Sequence, residues 1–65
     1  MKFNELEVVK TLIDFPDEKI KKGDIGTVVM VFNEPYEAYE VEFVNEDGTT
    51  KAMFAILPEN IENCN

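Results

Sequence analysis

Tyr39-Glu40-Val41-Glu42-Phe43-Val44-Asn45-Glu46-Asp47-Gly48-Thr49-Thr50-Lys51-Ala52-Met53-Phe54-Ala55-Ile56-Leu57-Pro58 is the stretch on which the fold turns. Tyr39, Val41 and Phe43 alternate with Glu40 and Glu42, the period-2 pattern of a half-buried strand. Asp47-Gly48 is a hairpin-turn signal, and Thr49 to Leu57 reads as the returning strand. Loop length then decides which side chains meet. A two-residue loop pairs Phe43 with Ala52, Val41 with Phe54 and Tyr39 with Ile56. A four-residue loop pairs Phe43 with Thr50, Val41 with Ala52 and Tyr39 with Phe54. A three-residue loop sets Phe43 against Lys51 and buries an ammonium, so it is rejected. Either accepted register puts Tyr39, Val41, Phe43, Ala52 and Phe54 in the core. Both leave Glu40, Glu42 and Lys51 outside.

Upstream, Leu6 to Ile13 reads as a first strand. Asp14 to Gly26 is a long polar loop that tucks Phe15 and Ile20 back against the core. Thr27 to Phe32 is a second strand, apolar at every position after Thr27, so both faces have partial cover or the strand bends. Gly26 suits a bulge or tight bend. Downstream, Pro58 holds Leu57 extended and opens a helical or 3₁₀ turn, and Ile61 returns a short last strand to the core. Five short strands, one long early loop and a single helical turn before the last strand describe an all-β chain. The order matches a small five-stranded SH3-like barrel, with residues 1–65 as one domain. Barrel closure would also limit exposed sheet edges. Sixty-five residues with 45% apolar and 31% charged side chains fit such a globular domain.

Histidine, arginine, serine, glutamine and tryptophan are absent from the chain. Without His or Ser, no Ser-His-Asp or Cys-His arrangement can be built within the chain. Cys64 is the only cysteine, so neither a cysteine-rich metal site nor an internal disulfide is expected. No bound cofactor or metal is expected, and the reading is non-enzymatic. An unstapled domain of this size fits a reducing compartment. No apolar run follows Met1 to Glu5 and no stretch approaches a membrane span, so a cytoplasmic protein without a membrane partner is expected.

The charge is unevenly placed. Residues 1–32 carry five lysines and six acids, whereas residues 33–65 carry Lys51 against eight acids, within a formal net charge of -8. Such an acidic half repels phosphates, which argues against a nucleic-acid partner. It favours a protein partner with a basic surface, against the plainer reading of acidity as a solubilising feature. The residues assigned to that surface are Glu34, Tyr36, Glu37, Glu40 and Glu42, with Tyr36 as an apolar anchor after Asn33-Glu34-Pro35. Tyr39 is assigned to the core. Gly23 and Gly26 lack the Gly-Lys-Thr/Ser ending of a phosphate loop and serve backbone geometry. Aligning Gly48 with the glycine of a calcium loop places Phe43 at the first ligand position, so that reading fails. Lys19, Lys21 and Lys22 read as a solvated loop, and Cys64 as an inert tail thiol. A homodimer stays open.

Phe3-Asn4-Glu5-Leu6-Glu7-Val8-Val9, Lys22-Gly23-Asp24-Ile25-Gly26-Thr27-Val28-Val29, Tyr39-Glu40-Val41-Glu42-Phe43, Asp47-Gly48 and Leu57-Pro58 together resemble an uncharacterised bacterial family. Its members are short acidic SH3-like domains that carry only a domain-of-unknown-function label. The Gly23 to Val28 element also resembles, more loosely, the KOW-type barrels of ribosomal and transcription proteins. The family resemblance implies the fold and transfers no catalytic residue. Relatives beside genes that resemble toxin genes would imply an immunity or antitoxin role. The alternatives are a KOW-like nucleic-acid-associated barrel using Lys19, Lys21 and Lys22, or an accessory subunit of an enzyme.

Overall fold

The alternation at residues 39–43 builds strand β3 (Ala38–Val44), which pairs antiparallel with β4 (Thr50–Ile56). The partners are Phe43 with Ala52, Val41 with Phe54 and Tyr39 with Ile56, the register expected of a two-residue loop. The turn itself is not two residues long. The Asn45 amide donates to the Thr49 carbonyl at 2.8 Å and the Gly48 amide to that of Asn45 at 2.9 Å, enclosing Glu46, Asp47 and Gly48. Gly48 supplies the positive φ, +90°, that closes a three-residue loop. The rejected loop therefore forms, and the ammonium it threatened to bury is spared by a register shift. Val44 pairs with Thr50 but Phe43 pairs with Ala52, which leaves Lys51 bulged and exposed.

The computed structural model describes residues 2–64. Ahead of the hairpin lie β1 (Val8–Thr11) and β2 (Ile25–Phe32), and after it β5 (Ile61–Asn63). All pairings are antiparallel, in the order β4-β3-β2-β1-β5. The first strand is shorter than Leu6 to Ile13. Leu6 takes a positive φ of 71° and is 77% exposed, so the extended path starts after it. Leu12 leaves the ladder at the other end, where its amide donates to Asn60. The second strand starts earlier than Thr27, at Ile25, and its register shifts between Val28 and Met30. The bend expected of this apolar run is thus a bulge beyond Val28. Gly26 sits within regular pairing, opposite Val9.

Among the described residues two 3₁₀ turns form where one was expected, at Pro16–Glu18 and Pro58–Asn60. Each opens on a proline, whose fixed φ and missing N–H suit a first helical position. The Pro16 turn lies inside the long loop, where Phe15 and Ile20 bridge each other and Ile20 is 1% exposed. The loop does tuck its apolar residues inward. Phe3, Val9, Ile20, Val28, Tyr39, Val41, Phe43, Ala52, Ile56 and Ile61 form one core to which every strand contributes. The sheet wraps this core without closing. Ile56 and Ile61 share the interior, but among the described residues β4 pairs only with β3 and β5 only with β1. Phe54 is half-buried rather than fully inside, because it lies on edge strand β4. Its ring stacks on Phe43 at 5.6 Å and meets the edge of Phe15 at 5.1 Å.

Candidate functional site

The outward side of the sheet follows from strand alternation. With Tyr39, Val41 and Phe43 turned inward, Glu40 and Glu42 point out, about 7 Å apart along β3. Their cross-strand neighbours share this face. Glu42 lies between Thr27 on β2 and Met53 on β4, and Glu40 between Met30 and Ala55. Val8 pairs with Thr27 and extends the row onto β1. Met30 is 50% exposed, Met53 52% and Val8 45%. The two carboxylates therefore stand among thioethers and aliphatic groups, half-buried by them rather than fully exposed. Glu42 additionally accepts a hydrogen bond from the Thr50 hydroxyl at 2.6 Å. Met30, Met53 and Val8 were missed at the level of sequence. The signal was the run Val28 to Phe32, which is apolar at positions of both parities.

The five residues assigned from sequence do not form one patch. Glu34 and Tyr36 are exposed in the β2–β3 connection, Tyr36 at 61%, beside a cis Glu34–Pro35 bond. Glu37 is turned away from Glu40 and Glu42 by its partners. Its carboxylate accepts a hydrogen bond from the buried Tyr39 hydroxyl and one from the Lys2 amide at 3.4 Å. The same hydroxyl accepts from the amides of Lys2 at 3.0 Å and Phe3 at 3.2 Å. This fastens the N-terminal segment over the core, where Phe3 meets Tyr39 edge-on at 5.2 Å. Glu37 is thus a positioning group for the fold, and the outward face keeps Glu40 and Glu42.

Hydrogen bonding sets the titration of these groups. The Tyr39 hydroxyl, and then the Lys2 amide, hold the Glu37 carboxyl below its ordinary value of 4.5. Burial first, and Glu37 second, push the Tyr39 phenol above its ordinary value of 10.0, so it stays protonated at neutral pH. The Thr49 hydroxyl and amide likewise hold the Asp47 carboxyl low. A carboxyl whose folded pKa is depressed contributes stability above its unfolded pKa and loses it as pH falls through the folded value. Stability is therefore expected to decline as pH drops below about 4.5. Glu37→Gln should flatten that decline, and the remaining slope should include Asp47. Urea titrations of both proteins across this range check it. An unchanged slope in Glu37→Gln would contradict the assigned contact.

The lysine loop is interleaved with acids. The Lys21 amide donates to Asp24 at 2.9 Å and the Lys22 amide to Asp14 at 2.7 Å, while Lys19, Lys21 and Lys22 are exposed. No uniform basic surface results. Among the described residues, no group of three or more His, Cys, Asp or Glu side chains is arranged to hold a metal ion. No helix among them is long and apolar enough to cross a membrane. The chain belongs to the family described as Domain of unknown function (DUF4926), whose model matches residues 5–63. Neither the curated proteins nor the solved structures gave a match.

Proposed function

We propose that this chain is a non-enzymatic protein-binding module that engages a basic partner through the outward face of β2, β3 and β4. One observation carries the reading: Glu40 and Glu42 stand on an uncovered sheet face among exposed Met30, Met53 and Val8. Apolar groups that can be dehydrated and charges that steer encounter are the two parts of a protein-recognition surface. Methionine adds a flexible contact that adapts to a partner's shape. Tyr36 and Glu34 are exposed in the connection that leads into β3 and are not needed for this surface. The formal net charge of -8 favours a cationic partner, such as a nuclease toxin neutralised by an immunity protein, in a bacterial cytoplasm.

The test is association kinetics against the protein captured from the native cell. Glu40→Lys combined with Glu42→Lys should leave the chain folded, since neither side chain is in the core. Association should slow by at least about tenfold at low salt, with a weaker dependence on ionic strength. Association as fast as that of the parent protein would overturn the reading.

A further inference from the structure

The backbone of β4 extends the outward face into an open sheet edge. Val28 donates its N–H to the Glu7 carbonyl at 3.0 Å, and its own carbonyl accepts from the Leu6 amide at 2.7 Å. Both groups thus point toward the N-terminal chain and away from β3. In an antiparallel ladder, opposite residues alternate between bonded and non-bonded pairs. Val28 and Val41 are therefore a non-bonded pair, and Val41 directs its N–H and C=O at Phe54 on β4. One residue to either side, Met53 and Ala55 then aim their backbone groups outward, past the last strand of the sheet. Among the described residues, no hydrogen bond from outside the β3–β4 ladder reaches the backbone of residues 50–56.

Edges are commonly blunted by lysine, proline or a bulge. Here Lys51, the only lysine on β4, is itself the bulged residue and lies 4.0 Å from Asp24, so one end alone is guarded. From Met53 to Ile56 the edge carries no charge and no proline. We infer that this edge accepts an extended segment of the basic partner as a sixth strand, with Lys or Arg at alternating positions. The inference rests on the protein-binding reading above and adds its mode.

Residues of the added strand opposite Met53 and Ala55 share their outward face. Glu42 and Glu40 lie on that face one strand further in, about 10 Å from the new strand. A long cationic side chain crosses that gap with its aliphatic stem over Met53 or Ala55 and its head at a carboxylate. Intervening residues of the segment turn inward and cover the half-buried Phe54 ring. A second copy of this chain is a poorer occupant. Its own β4 offers Lys51 as sole cation, and pairing would join two chains of net charge -8.

The probe is a capped peptide of alternating lysine and valine, long enough to span β4, studied by amide exchange and titration on the intact protein. The expected result is binding that slows exchange of the Met53 and Ala55 amides by at least about tenfold. The same peptide with its lysine backbone nitrogens methylated keeps its charge but cannot donate to β4, and should bind at least about tenfold more weakly. Equal binding of the methylated peptide would overturn the edge while leaving the acidic face intact. Failure of the unmethylated peptide to bind would also overturn it. So would peptide-free protection of Met53 and Ala55 accompanied by a dimer in sedimentation, which would give the edge to a second copy.

Discussion

Phe43→Ala is expected to cost about 3–5 kcal/mol of stability, the range for removing a buried phenyl ring. A 65-residue domain has about 3–10 kcal/mol in total, so the variant should be largely unfolded or close to it. Phe43 is 2% exposed, stacks on Phe54, and faces Ala52, whose methyl group cannot fill the space left. Phe54 in turn carries Phe15, so the loss would loosen the long loop as well as the hairpin. Urea denaturation followed by circular dichroism measures it. A cost below about 1 kcal/mol would mean that the core closes around the cavity, which a close-packed interior resists.

Gly26→Ala should be comparably damaging for the opposite reason. A Cβ at Gly26 would lie 2.6 Å from Val41 Cγ1, 2.9 Å from the Glu42 carbonyl oxygen and 3.0 Å from Phe43 Cδ1. Overpacking usually costs about 1–3 kcal/mol, and contact with backbone that cannot rotate away places this case at about 3 or more. Gly26 is therefore required by close approach of β3, not by its own torsion angles. Gly48, at φ +90° with open space around it, shows the converse. Combining Gly26→Ala with Val41→Ala should recover part of the loss, because one of the three contacts is removed. A double-mutant cycle with a favourable coupling above about 1 kcal/mol is the expected readout. Strict additivity would show that Val41 is not what excludes the methyl group.

The hairpin was legible in the sequence because Tyr39, Val41 and Phe43 alternate with charges whose burial is costly, which ties register to energy. The same argument misjudged the loop. It treated Lys51 as locked to the ladder, whereas a bulge moves one residue out of register at modest cost. The second strand was legible as a strand but not as to its faces, since Val28 to Phe32 carries no polar marker of which side is outward. The exposed Met30 was hidden for that reason. Glu37 was misplaced because its partners, Tyr39 and the Lys2 amide, meet only once the N-terminal segment crosses the core. The open edge at β4 was masked by the expectation of closure. Closure failed in the ladder because β5 is three residues long and pairs with β1 alone.

The most direct measurement of the central claim is a comparative capture from the native cell, read by quantitative mass spectrometry. The baits are the parent chain, the Glu40→Lys/Glu42→Lys variant, and a control with Glu18→Lys and Glu59→Lys. The control makes the same change in net charge at the two 3₁₀ turns, off the outward face. The account predicts a basic protein retained by the parent and the control and reduced at least about tenfold with the face variant. Equal retention by all three baits would contradict it, since the acidic face would then contribute nothing beyond solubility.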